Sequence, residues 1–265
     1  MLQLFLFLLF VYLLALMCRR GAPKLKELAA WNYAHRGLHG DGLPENSMGA
    51  FQAALEAGYG IELDLHLLAD GNLAVIHDSL LNRTTGQPGR IEDLRTEDLK
   101  NYTLEGTQET IPTFSQVLEL FAGKAPMIIE LKAENGNHNQ LAQTACEMLE
   151  GYEGLYCIES FDPRCLMWLR KHRPDIVRGQ LAQNFFRGKN DLPDYQKFLL
   201  TNCLMNFLTY PDFIAYCFSH RGNISAKLCR MTWGVQGVAW TLRKQEDFDT
   251  AKKEGWIPIF EGFRP

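Results

Sequence analysis

The chain has 265 residues, of which 46% are hydrophobic and 22% charged, and a formal net charge of −4. That length suits one large α/β domain or two small ones, the composition excludes a disordered chain, and the weak negative charge gives no basis for a nucleic-acid partner. Seven cysteines, none in a CxxC pair, argue against a zinc site or a disulfide framework and for a reducing compartment.

Met1 to Met17 reads MLQLFLFLLFVYLLALM, with Gln3 its only strongly polar side chain. As a helix it would cover roughly 25 Å at about 1.5 Å per residue. Arg19, Arg20, Lys24 and Lys26 follow, and no basic side chain precedes. The pattern predicts a transmembrane anchor over residues 1–18, single-pass, with the body of the chain on the cytoplasmic side. Residues 19–30 read as a basic linker and 31–265 as one domain.

Trp31–His35 reads as a strand and Leu43–Ser47 as a turn. Met48–Ala57 reads as a helix, capped by Asn46 or Ser47 and stopped by Gly58. Ile61–Leu68 and Leu73–His77 flank Asp70-Gly71, which predicts a hairpin. Residues 80–110 are polar and turn-rich and read as a small insertion. Strands are then expected at Met127–Leu131, Tyr156–Ile158, Ile176–Leu181, Cys203–Leu208, Val235–Thr241 and Ile257–Phe260. Helices are expected at Thr113–Phe121, Asn139–Leu149, Pro163–Lys171, Pro211–Ser219 and Lys244–Lys253. Alternating strands and helices predict a parallel sheet. Setting the hairpin arm aside leaves eight strands, enough for a closed (β/α)8 barrel. An open doubly wound sheet is the alternative, but it usually carries a glycine-rich phosphate loop that is absent here.

The residues able to do chemistry gather early. In Gly60–His66, alternation puts Glu62, Asp64 and His66 on one face of a strand. Two such carboxylates repel one another when buried, and a bound cation removes the cost; oxygen ligands select Mg²⁺ or Ca²⁺. A solvated polar face is the competing reading. Glu130 and Lys132 repeat the device in Met127–Lys132, with Glu130 a third ligand and Lys132 either a phosphate contact or a neutraliser of Glu130. His35 and His77 each end a short apolar strand, where histidine pairs suit proton transfer. Arg36 offers a planar fork to a phosphate. Glu45 reads as a hydrogen-bonding group across the site or as part of its turn. His39 sits in a glycine-rich turn, where it reads as solvated or as a substrate contact, and His138, His172 and His220 belong to no constellation.

His35-Arg36-Gly37, Pro44-Glu45-Asn46-Ser47, Glu62-Leu63-Asp64, Val75-Ile76-His77-Asp78, Arg83-Thr84-Thr85 and Ile129-Glu130-Leu131-Lys132, in that order, resemble the glycerophosphodiester phosphodiesterase family. Ile111-Pro112-Thr113, Ser160-Phe161 and Ala239-Trp240-Thr241 agree with it, and the resemblance covers about Tyr33 to Pro265. It implies a TIM-type barrel with an insertion after the hairpin, and one divalent cation on Glu62, Asp64 and Glu130. It also implies acid/base catalysis by His35 and His77, releasing glycerol 3-phosphate and an alcohol. Membrane-bound relatives act on lysophospholipids as phospholipases D, so a lysolipid is the second expected substrate class. A catalytically silent, membrane-anchored scaffold is the alternative of another kind. Two positions depart from the family pattern: Arg243 stands where an Asn is usual, and Phe260-Glu261 where Thr-Asp is usual. Both lie in expected mouth loops and bear on substrate choice.

Overall fold

The computed structural model describes residues 1–22, 24–188 and 190–265. Its strands are β1 (Tyr33–His35), β2 (Gly60–Leu67), β3 (Leu73–Val75), β4 (Met127–Leu131), β5 (Tyr156–Ser160), β6 (Arg178–Ala182), β7 (Phe213–Cys217), β8 (Gln236–Leu242) and β9 (Trp256–Phe260). They join in the order β1-β9-β8-β7-β6-β5-β4-β2-β3, and β1 also pairs with β2. Eight parallel strands therefore close into a barrel, while β3 pairs antiparallel with the outer part of β2. The closed ring settles the choice against an open doubly wound sheet.

The helices are α1 (Leu2–Ala15), α2 (Leu25–Leu28), α3 (Met48–Glu56), α4 (Asn82–Thr85), α5 (Phe114–Phe121), α6 (His138–Met148), α7 (Pro163–His172), α8 (Asp194–Thr201), α9 (Asn206–Thr209), α10 (Ile224–Trp233) and α11 (Gln245–Lys253). Local chemistry sets several boundaries. The Ser47 hydroxyl accepts from the Ala50 amide at 3.1 Å and opens α3. Thr113 and Gln116 form a reciprocal cap that opens α5.

Alternation divides the barrel core into two layers. Ile61, Leu63 and Leu65 of β2 point outward into the shell of helices, among Phe51, Ala54 and Val117. Ile128, Cys157, Leu181, Phe213, Val238 and Ile257 fill the base of the lumen. Ala22 and Leu28 join that basal cluster, so the stretch expected as a linker packs under the barrel. The insertion has its own small core, in which Leu81, Ile91, Leu99 and Leu104 meet Leu68, Ala74, Ile76 and Ile111.

The seventh strand differs from expectation. A strand over Cys203–Leu208 and a helix over Pro211–Ser219 are reversed: Phe213–Cys217 is the strand and Asn206–Thr209 a short helix. Cys203 and Tyr210 take φ of 53° and 48°, a left-handed backbone that no strand accommodates. An apolar run this short carries no period, so burial against helices and burial in a sheet look alike in sequence. Helices α8 and α10 are likewise not foreseen.

The N-terminal anchor is also corrected. Helix α1 has 14 residues, about 21 Å at 1.5 Å per residue against a hydrocarbon core of about 30 Å. No helix among the described residues is long and apolar enough to cross a membrane. The reason lies in the residues that follow. Leu16 and Cys18 are buried in the main core, Arg19 pairs with Asp212 and Arg20 bonds the Trp233 carbonyl. The end of the apolar run and its basic flank are thus engaged by the barrel. Tyr12 Oη lies 2.7 Å from Ser225 Oγ, at the start of α10, whereas Arg19 meets the residues that precede β7. Helix α1 therefore arrives from the end where the strands point their C-termini, with Leu4, Phe5, Phe7, Leu8 and Phe10 exposed.

Gly179 pairs with Phe213 across β6 and β7, and a Cβ there would lie 2.0 Å from the Phe213 ring. Gly179→Ala should destabilise the barrel by about 1–3 kcal/mol through overpacking, read as a lower Tm in thermal unfolding. An unchanged Tm would contradict this placement of the seventh strand.

Candidate active site

The barrel brings the charged residues of β1, β2, β4, β5 and β9 to one end. Asp64 is in register with Glu130, Glu130 with Glu159, and Glu62 with His35. Ligand oxygens of Glu62, Asp64 and Glu130 lie within 4.8 Å of one another, and all three residues are buried. Lys132, just past β4, places Nζ 2.7 Å from Glu130 Oε1 and 3.1 Å from Asp64 Oδ1.

Charge is shared unevenly in this cluster. Burial pushes Glu62 well above the usual carboxylate range, and repulsion from Asp64 and Glu130 adds to it. Burial also raises Glu130, with Lys132 opposing and Asp64 reinforcing. Burial would raise Asp64 too, but Lys132, His77 and Arg36 outweigh it and hold that carboxyl well below its ordinary range. Burial works against the Lys132 ammonium, yet Asp64 and Glu130 keep it firmly protonated.

Arg36 sits at φ 54°, in the left-handed region. There its amide donates to Glu62 Oε2 at 3.1 Å. Its side chain donates to Glu45 Oε1 at 2.9 Å and approaches Asp64 Oδ2 at 3.5 Å, with Nε free of any hydrogen-bond partner. Asn46, also at positive φ, donates to Asp64 Oδ2 at 2.8 Å. Glu45 accepts from both Arg36 and Arg83. It joins the two arginines and so acts across the site, as one of its two expected readings holds.

Each strand-end histidine has one nitrogen against a carboxylate. His35 Nδ1 is 2.6 Å from Glu261 Oε2, and its Nε2 is 3.8 Å from Glu62. Burial lowers His35 to about 4, partly countered by Glu261. Burial would raise Glu261, but its hydrogen bond with His35 and the charge of Arg243 bring it down to about 2. The two shifts agree on a neutral imidazole donating to a carboxylate. His77 Nδ1 is 2.6 Å from Asp78 Oδ1, and Arg83 holds the other oxygen of Asp78.

His66, set apart from the ligand set by its position beyond Asp64, faces the insertion instead. Its Nδ1 is 2.7 Å from Glu92 Oε1 and its Nε2 is 3.1 Å from the His77 carbonyl. Ser79 donates to the second oxygen of Glu92 at 2.6 Å. This clamp ties the insertion to β2 and fixes the backbone that carries His77.

Sequence reading misses Glu159, Glu261, Glu92 and Asn46. The fifth strand, expected over Tyr156–Ile158, runs two residues further to Ser160; carried that far, alternation would have put Glu159 on the lumen face. Glu159 is 1% exposed, its Oε2 has no partner, and burial followed by repulsion from Glu130 pushes it well above the carboxylate range. Glu261 follows the end of β9 as His35 ends β1, a position where barrels gather reactive groups. Arg243 and Glu261, the two departures from the family pattern, prove to be one ion pair at 3.0 Å. Glu261 contacts His35 and Arg243 holds Glu261, so the pair reaches the strand-end histidine as well as the mouth. His39 also brings a ring nitrogen within 4.8 Å of ligand atoms of His35 and Glu261.

Two cavities open on this cluster. One of about 420 Å³ is lined by His35, Arg36, Glu62, Glu159, Trp240 and Arg243 among others. The other, of about 610 Å³, runs toward the insertion past His66, Asp78 and Arg83. They share His77, Glu130, Lys132 and Phe161. In the stretch Asn184–Lys189, Phe185 is buried and Phe186 exposed; Lys189 lies outside the described residues.

The sequence model of the glycerophosphoryl diester phosphodiesterase family matches residues 35–261. A glycerophosphodiester phosphodiesterase of Bacillus altitudinis is 37% identical over 57% of this chain and 66% of its own length. Another, from Caldanaerobacter subterraneus subsp. tengcongensis, is 34% identical over 84% of this chain and 89% of its own length. The rat lysophospholipase D GDPD1 is 34% identical over 49% of this chain and 44% of its own. The fold matches an Oleispira antarctica phosphodiesterase, solved in complex with the product sn-glycerol-3-phosphate, with a TM-score of 0.72 at 23% identity over 87% and 92% of the two chains. With the family match spanning both strand-end histidines and the whole carboxylate cluster, this chain belongs to the glycerophosphoryl diester phosphodiesterase family and is a phosphoric diester hydrolase.

Proposed function

We propose that this chain hydrolyses glycerophosphodiesters to glycerol 3-phosphate and an alcohol, with Glu62, Asp64 and Glu130 holding one divalent cation and His35 and His77 transferring protons. The observation that carries the reading is the convergence of three buried carboxylates between two histidines, each with a carboxylate on one ring nitrogen. The donor set fits the cation: it is all oxygen, as Mg²⁺ or Ca²⁺ requires, and its mutual repulsion is a cost that such an ion removes. Bound there, the cation supplies Lewis-acid polarisation of a non-bridging phosphate oxygen.

The chain's own residues do the remaining work. Arg36 lines the cavity that holds both histidines, where its guanidinium offers a planar fork to a phosphate oxygen. Glu45 accepts from Arg36 and Arg83 and so positions the phosphate-facing guanidinium. Lys132 lines both cavities with its Nζ paired to Asp64 and Glu130, and adds a positive charge for the phosphate. Glu261 and Asp78 occupy the Nδ1 of His35 and His77, so each ring turns Nε2 to the reacting oxygens. Across the reaction the P–O bond to the headgroup breaks, the headgroup leaves as an alcohol with a proton, and the oxygen of water ends on phosphorus.

A lysophospholipid is the second substrate class in this reading. The relative named lysophospholipase D supports it, as does the exposed apolar helix α1 at the mouth end of the barrel. Such a helix favours a membrane location, with the barrel on the cytoplasmic side of the surface that α1 enters.

His35→Ala and His77→Ala should each lower kcat on glycerophosphocholine by at least ~10²-fold; near-full activity in either would remove that histidine from proton transfer. Chelation should abolish turnover and Mg²⁺ or Ca²⁺ restore it, measured by choline release. Activity that survives exhaustive chelation would remove the cation. Glu159 makes a separate prediction about stability. Its folded pKa lies above the ordinary value of 4.5, so folding favours the neutral acid. That contribution is complete below pH 4.5 and is lost as pH rises toward the folded pKa. Glu159→Gln should therefore raise Tm over the native chain by a margin that widens between pH 4 and pH 8. A margin that stays flat or shrinks over that range would refute the assignment of a buried neutral acid.

A further inference from the structure

A third cavity, of about 520 Å³, lies beside the catalytic ones, between the loop after β5 and helix α8. Its lining is largely apolar, from Phe161, Phe185, Leu192, Tyr195, Leu199 and Met205. The volume is in the range of small-molecule sites, about 300–1,000 Å³. Nothing in the phosphodiester chemistry uses it.

Phe161 connects this groove to the reacting groups. Its ring packs edge-on against Phe185 at 5.9 Å and against Trp240 at 5.5 Å. Trp240 lines the cavity that holds both histidines, and Phe161 lines all three cavities. Asp162 is shared by the groove and the insertion-side cavity. A molecule whose phosphate sits at Lys132 and Glu130 therefore has an apolar channel leading away past Phe161. The groove opens at the same end of the barrel as α1, near the exposed side chains of Phe186, Tyr195 and Phe198. An apolar extension reaching that site through this groove belongs to a molecule with one polar phosphodiester and one apolar tail.

We propose that the groove between Phe161 and α8 binds the acyl chain of a lysophospholipid whose phosphodiester lies at the carboxylate cluster. The proposal rests on the phosphodiesterase reading above and extends it to the tail of the substrate. Its energetic signature is a dependence on chain length, since each methylene withdrawn from water strengthens binding by about fourfold.

The test compares glycerophosphocholine with hexanoyl-, octanoyl- and decanoyl-lysophosphatidylcholine, using the full chain without detergent and lipids below their micelle-forming concentrations. In the native chain kcat/KM should rise from glycerophosphocholine to the hexanoyl compound and then by roughly fifteenfold for each two-carbon step. Leu199→Gln and Met205→Gln should flatten that rise and lose at least about tenfold on the decanoyl substrate. Their glycerophosphocholine turnover and Tm should stay unchanged, which shows that they fold. Tyr195→Ser, at an exposed position, repeats the test without touching the packed core. A flat chain-length series with intact glycerophosphocholine turnover would overturn the groove and leave the phosphodiesterase reading standing. So would equal losses on both substrates. Failure of the native chain to cleave any of the four compounds would overturn the phosphodiesterase reading, and the groove with it.

Discussion

Crowding of like charge at the mouth of the barrel is the constraint on which the rest of the structure depends. Glu62, Asp64, Glu130 and Glu159 come from three neighbouring strands, and all four are buried. Carboxylates in that position repel one another and lose hydration, which together cost several kcal/mol per ion in a protein interior. Lys132 and Arg36 offset part of the cost, and Asp64 takes the ionised state because both cations face it. What remains is a site that favours a further positive charge. The barrel below it is conventional and apolar, and it holds these groups where no flexible scaffold would keep them.

Around this centre the protein places its histidines by two different devices. His35 is held by Glu261, itself paired to Arg243, so two positions unusual for the family act together on one imidazole. His77 stands on the hairpin arm that lies outside the barrel, and it is steadied from below. The His66 ring reaches from β2 to both the His77 carbonyl and Glu92 of the insertion. The insertion thereby does more than cover the mouth. It closes a chain of contacts from a barrel strand to the backbone of His77, with Ser79 and Glu92 in between. The groove behind Phe161 belongs to the opposite wall, where α8 supplies apolar side chains and no charge is needed.

Much of this was legible in one dimension where period and punctuation agree. The Asp70-Gly71 turn marks the hairpin, Ser47 caps α3, and Gly60–Leu67 alternates so regularly that its charged face is visible before any fold is known. The seventh strand was not legible. Cys203–Leu208 and Phe213–Cys217 are both short and apolar, and only pairing with β6 and β8 tells a buried strand from a buried turn of helix. Glu159 escaped because a strand boundary was set two residues early, and Glu261 because its meaning depends on a partner 226 residues away.

The sequence by itself determined the barrel's repeating pattern and the charged face of Gly60–Leu67, because these are carried by local spacing, while the ordered motifs of a known family implied the reaction class and the carboxylate and histidine set. Tertiary structure alone decided the rest. Closure of β1 on β2 and β9 sets His35 between Glu62 and Glu261, one facing each ring nitrogen. Burial separates the charge states of carboxylates that look equivalent in sequence. Docking of Leu16, Cys18 and Arg19 on the barrel ends the apolar run as a 14-residue helix. Each of those outcomes depends on which distant groups come into contact, and contact between distant groups is a property of the folded chain.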